Sequence, residues 1–107
     1  LENAEAYWTK LLKDWADHDE AKSQAQLGLA EIALERGETE KALGLFGGVY
    51  KESGDRFFQA QAQIGLGLVH VRDGNADLAA DELESVVEDF PDQPEMVSLA
   101  QDTLNGM

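Results

Sequence analysis

One feature constrains this chain more than any other: it repeats itself at an interval of 37 residues, the distance from Gln24 to Gln61. Gln24-Ala25-Gln26-Leu27-Gly28-Leu29-Ala30 returns as Gln61-Ala62-Gln63-Ile64-Gly65-Leu66-Gly67. In the same register Gly37 pairs with Gly74, Ala42 with Ala79, Phe46 with Leu83 and Val49 with Val86. Small, large and glycine positions that coincide in one frame mark a repeat architecture. Two units are complete, over 23–56 and 60–93. A unit this short leaves an apolar face wet, so stacking against its neighbours supplies the stability.

Each unit reads as two helices. Leu27, Ala30, Ala33 and Leu34 recur at helical spacing in the first. Gly37 stops it, as glycine does when it turns left-handed past the last helical residue. Glu38 or Thr39 opens the second helix, whose buried stripe is Ala42, Leu45, Phe46 and Val49. The second unit repeats the plan: Ile64, Leu66, Gly67 and Val71, a break at Gly74, then Ala79, Leu83, Val86 and Val87. Pro91 and Pro94 are expected to end that helix, because proline cannot continue the hydrogen-bonded ladder.

The flanks read as half-units. An amphipathic helix within 3–17 carries Tyr7, Trp8, Leu11, Leu12 and Trp15; its two tryptophans, seven residues apart, share a face and are expected in the core. Residues 94–107, with Met96, Val97, Leu99, Ala100 and Leu104, read as a capping helix. The expectation is one all-α domain over 1–107 with about six helices and no strands. Leu1 in place of Met is expected of a fragment or a processed chain.

The small residues Ala30, Ala33, Ala42, Gly67 and Ala79 let neighbouring helices approach, while Phe46 and Leu83 fill the space between hairpins. Gly44, Gly47 and Gly48 sit inside a helix, where each costs about 1 kcal/mol relative to alanine. They read as close helix approach or as local fraying.

Composition then limits the function classes. Twenty-two acidic residues against 8 basic give a net charge of −14. That argues against nucleic acid and anionic membrane, which would be repelled. It permits a basic partner and confers solubility. With no cysteine, neither a disulfide framework nor a thiolate metal site can form. No apolar run approaches the roughly 18 residues of a spanning helix.

Candidate chemistry is sparse. Asp73, Asn75, Asp77, Asp81 and Glu84 match the ligand spacing of a calcium loop, but Leu78 stands where the sharp turn needs glycine. The repeat register also makes 76–88 a helix, which splays those oxygens apart. Asp14, Asp17, Asp19 and Glu20 surround His18, and a lone imidazole among exposed carboxylates is a weak metal site. His70 reads as a packed or groove-edge residue. Ser23, Ser53, Ser85 and Ser98 lack the adjacent base and orienting group of a nucleophile. The glycines at 44, 47 and 48 lack the Gly-Lys-Ser/Thr ending of a phosphate loop. No catalytic residue, metal or cofactor is expected.

The pattern Leu29-Ala30, Ala33, Gly37, Ala42, Phe46, Val49, with its second copy Leu66-Gly67, Gly74, Ala79, Leu83, Val86, Pro91, resembles the tetratricopeptide repeat. Departures are Ala33 and His70 where the first helix usually carries an aromatic, and Gly54 where proline is typical. The resemblance implies a solenoid, a right-handed superhelix of antiparallel hairpins, and protein–protein assembly rather than catalysis. The 37-residue spacing, Ser85-Val86-Val87-Glu88-Asp89-Phe90-Pro91 and the ending Ala100–Met107 are similar to one bacterial subgroup. It includes the periplasmic Tol–Pal coordinators and outer-membrane assembly lipoproteins. This favours a periplasmic or cell-envelope setting over a cytoplasmic one and leaves the compartment open.

By the family's pattern, the first helix of each hairpin lines a concave groove. The inward positions are then Gln24, Leu27, Glu31, Leu34 and Glu35, followed by Gln61, Ile64, Leu68, Val71 and Arg72. The groove is expected to be apolar along its middle, with Glu31 and Glu35 at one end and Arg72 at the other. Such a surface suits an amphipathic helix or an extended peptide with apolar anchors. The lysines and asparagines that hold a C-terminal carboxylate in chaperone-tail-binding members are missing here. The groove's occupant is either an outside peptide or the chain's own kind, through a flanking helix or a second copy. The face of Trp8 offers another route to a homo-oligomer.

Overall fold

The computed structural model describes residues 2–107 as six helices: α1 (Glu2–Asp14), α2 (Asp19–Glu35), α3 (Thr39–Glu52), α4 (Arg56–Arg72), α5 (Ala76–Asp89) and α6 (Pro94–Gly106). There is no strand among the described residues.

The helix boundaries follow from local chemistry. Gly37 and Gly74 take φ of 74° and 77°, the left-handed conformation that L side chains resist. After α2, the Glu38 N–H donates to the Ala33 carbonyl at 2.9 Å and the Gly37 N–H to Leu34 at 3.1 Å. After α4, Asn75 donates to His70 at 2.9 Å and Gly74 to Val71 at 3.1 Å. Both turns are Schellman closures that satisfy the last carbonyls of a helix. At the other ends, Asp55 accepts from the Phe57 N–H at 2.8 Å and Asn75 from Leu78 at 3.3 Å, satisfying orphan donors. Pro94 does not end α5 as expected. That helix stops at Asp89, and Pro94 occupies the first turn of α6, where a missing N–H costs nothing.

Successive helices pack pairwise from α1 to α6, and α2 also touches α4, as α4 touches α6. Among the described residues, α1, α3 and α5 make no such contacts with one another. The even helices therefore converge and the odd ones fan apart, which places α2 and α4 on the inner face. The core runs through the hairpins as Leu27, Ala30, Ala33, Ala42, Phe46, Val49, Phe58, Ala62 and Val69. It continues as Ile64, Leu83, Val86 and Ala100.

Interior glycines set how closely the hairpins nest. A Cβ on Gly65 would lie 2.3–2.6 Å from three ring atoms of Phe46, which is 2% exposed. A Cβ on Gly28 would meet the Trp8 indole at 2.3–2.6 Å. Both are sockets: an aromatic from an odd helix seats on a glycine of the next even helix. The separations are 20 residues for Trp8–Gly28 and 19 for Phe46–Gly65. The connection 15–18 between α1 and α2 is one residue longer than 53–55 between α3 and α4, which absorbs the difference. Gly67 of α4 is also crowded, by Leu83 of the following helix α5, 2.9–3.0 Å from where its Cβ would lie.

Gly44, Gly47 and Gly48 do not serve close helix approach. They lie in the uninterrupted helix α3, and a Cβ on any of them would meet nothing within 4 Å. The tryptophans also part company. Trp15 falls beyond the end of α1, is 55% exposed and stacks edge-on to His18 at 5.9 Å. Trp8 alone packs inward.

The turn before α6 is clamped by Arg56. Its Nε and Nη2 each donate to Asp92 at 2.7 Å, and Nη2 also donates to the Asp89 carbonyl at 2.6 Å. The guanidinium lies 4.7 Å from the centre of the Phe90 ring. This pairing holds the Asp92 carboxyl well below the usual carboxylate range.

Candidate functional site

The inner face carries two adjoining hollows. The first, about 480 Å³, is lined by Gln24, Leu27, Gly28 and Glu31 of α2, by Phe57, Phe58 and Gln61 of α4, and by Trp8 of α1. The second, about 440 Å³, is lined by Ala4, Trp8, Gly28, Glu31, Ile32, Leu34, Glu35, Leu68 and Arg72. Trp8, Gly28 and Glu31 belong to both, so the hollows form one groove with the indole and the Glu31 carboxylate at its waist.

The groove exists because of the repeat. α2 and α4 present equivalent faces side by side, and the Gly28 socket draws Trp8 of α1 down to wall off one edge. Asp55 starts α4 by capping the Phe57 N–H, which brings Phe57 and Phe58 into the first hollow. Their rings meet edge-on at 5.8 Å. Phe58 is buried as floor, while Phe57 keeps its face partly open.

The expected groove residues divide into three sets. Gln24, Leu27, Glu31 and Gln61 meet in the first hollow, and Glu31, Leu34, Glu35, Leu68 and Arg72 in the second. Ile64 and Val71 join neither. Ile64 is buried against Leu83, Val86 and Ala100, and Val71 borders a separate hollow with Gly74, Ala76, Gly106 and Met107. The helical period explains the division: one face of α4 meets α2 while the neighbouring face meets α5 and α6.

The charges are also arranged differently from the expectation of opposite ends. Arg72 Nη2 pairs with Glu35 Oε1 at 3.2 Å, and Nη1 donates to the Leu34 carbonyl at 3.3 Å. Residues 35 and 72 are one repeat apart and therefore lie beside each other. The cation also sits where the α2 dipole leaves negative charge. Glu31 has no ion-pair or hydrogen-bond partner among the described residues. It keeps access to water, yet the surrounding side chains desolvate it and raise its carboxyl above the ordinary range.

Trp8, Phe57 and Phe58 line the groove beyond the residues that the repeat pattern indicates. The signal was an aromatic 20 residues before Gly28, matching Phe46 before Gly65, and an aromatic pair immediately after a capping aspartate.

A second feature lies on the outer side of α1, where Tyr7, Lys10, Leu11, Asp14 and Trp15 border a hollow of about 280 Å³. Tyr7 is 61% exposed. Elsewhere, serine hydroxyls serve the backbone: Ser53 Oγ accepts from the Asp55 N–H at 3.2 Å and Ser85 Oγ donates to the Asp81 carbonyl at 2.9 Å. No group of three or more metal-ligating side chains occurs among the described residues, and none of their helices is long and apolar enough to cross a membrane.

A family model described as the tetratricopeptide repeat matches residues 1–57 and again 58–94. The chain belongs to that family. No curated protein and no solved structure gave a match.

Proposed function

We propose that this tetratricopeptide repeat chain is an interaction module that holds an apolar-anchored peptide or helix in the groove between α2 and α4. The observation that carries this reading is the pair of confluent hollows walled by Trp8, Leu27, Phe57, Leu34 and Leu68. An apolar concavity with a few polar groups at its edge is the usual form of a recognition site. On this reading the module binds rather than catalyses, in keeping with the backbone hydrogen bonds that occupy Ser53 and Ser85 and with the pairing of Arg72 and Glu35 in the groove. A role in bacterial envelope assembly is the finer form of this reading. It is supported by the likeness of the 37-residue spacing and Ser85–Pro91 to the bacterial envelope subgroup, and of the ending Ala100–Met107 to its Tol–Pal coordinator type.

The test is selection of binders from a displayed library of random peptides, with Leu68→Glu as the control. Peptides selected on the native chain should lose affinity for Leu68→Glu. Equal capture by both chains would place recognition outside this groove.

A second reading is self-association, and the exposed Tyr7 and Trp15 on the outer side of α1 favour it. An exposed apolar patch commonly marks an interface. Sedimentation over a range of concentrations decides: a dimer that Tyr7→Glu dissolves supports this reading, and a strict monomer excludes it.

A further inference from the structure

Resting on the groove reading above, we infer that the segment bound there carries a lysine or arginine beside an apolar anchor, with its cationic head against the Glu31 carboxylate in the hollow walled by Trp8 and Phe57.

Charge complementarity selects this occupant. The charged side chains lining the two hollows are Glu31, Glu35 and Arg72. Arg72 and Glu35 neutralise each other at 3.2 Å. The groove therefore keeps one uncompensated charge, and it is negative. That charge sits where the hollows meet, so a cation reaching it has an apolar cup on either side. Leu27 and Phe58 form one cup, and Ile32, Leu34 and Leu68 the other.

The local physics favours a cation over water. Desolvation without a partner works against the Glu31 carboxylate in the free chain, and an opposite charge within a few ångströms recovers that loss. A guanidinium or ammonium over an indole or phenyl face gains further attraction. At longer range the net charge of −14 draws basic segments in and slows acidic ones. An acidic segment or a free carboxylate would meet Glu31 directly, so neither is the occupant.

The experiment repeats the random-peptide selection on the native chain, on Glu31→Gln and on Glu84→Gln. Glu84 is exposed on α5, away from the groove, so its variant removes the same charge without touching the site. Peptides selected on the native chain should carry Lys or Arg at a fixed position next to Leu, Ile or Phe. Their affinity should fall about tenfold on Glu31→Gln and stay level on Glu84→Gln. Selected peptides with apolar anchors but no fixed basic position overturn the inference, and so does equal binding by Glu31→Gln. In both cases sensitivity to Leu68→Glu leaves the groove reading standing. Binding indifferent to Leu68→Glu, or no binders at all, overturns the groove reading and this inference with it.

Discussion

Replacing Gly65 by alanine should destabilise the chain even though alanine is the better helix former. The added methyl would lie 2.3 Å from Cε1 and 2.4 Å from Cδ1 of Phe46, a ring that is 2% exposed and held in the core of both hairpins. Overpacking costs about 1–3 kcal/mol, and a rigid buried ring puts this case near the top of that range. The gain in helix propensity returns about 1 kcal/mol. The net expectation is a loss of about 2 kcal/mol, or roughly 10 °C in Tm for a domain of this size. Gly44→Ala is the matched control. Gly44 is helical and exposed, and its Cβ would meet nothing within 4 Å, so that variant should gain about 1 kcal/mol. Urea unfolding followed by far-UV circular dichroism measures both. A Gly65→Ala chain as stable as Gly44→Ala would refute the socket, and with it the account of how the hairpins nest.

The other predictions concern the groove and the ends of the stack. Glu31→Gln should stabilise the free chain while weakening its partner, because the folded carboxyl has a raised pKa. A carboxylate disfavoured in the fold works against stability above that pKa, so the native chain's deficit relative to Glu31→Gln should shrink as pH falls through it; urea midpoints across the acid range check this. Peptide binding should weaken over the same acid window, as protonated Glu31 ceases to hold a cation. Asp92→Asn should speed hydrogen exchange in α6 at neutral pH. Because pairing depresses the folded Asp92 pKa, the pair's contribution is present above the ordinary carboxylate range and lost only as pH falls through the depressed value. Ala42→Leu should cost about 1–3 kcal/mol, since Ala42 is fully buried between the hairpins; thermal unfolding measures it.

The turns were legible in the sequence because their physics is local. At Gly37 and Gly74 the chain needs a left-handed residue one position past a helix, and glycine supplies it at any site with that need. The sockets were not legible in the same way. Gly28 and Gly65 look like Gly44, Gly47 and Gly48 in one dimension, since all five interrupt helical stretches. Only the placement of Trp8 and Phe46 separates the glycines a side chain would crowd from those facing open space. The groove was half legible for a related reason. Helical spacing places Leu27, Glu31 and Leu34 on one face of α2. It does not tell which flank of α4 turns to α2 and which to α5 and α6, and so Ile64 and Val71 were grouped with Leu68. The Arg72–Glu35 pair follows from the repeat once its equivalent helices are set side by side. The shared face that helical spacing gives Trp8 and Trp15 does not form, because α1 ends before Trp15, at Asp14.

The most direct test is to map a selected peptide onto the chain by backbone amide shifts in NMR. Recognition in the groove predicts shifts concentrated at Gln24, Leu27, Gly28, Glu31, Phe57, Gln61 and Leu68, with the Trp8 indole N–H moving alongside them. Shifts gathered instead at Tyr7, Leu11 and Trp15, with α2 and α4 silent, would contradict it.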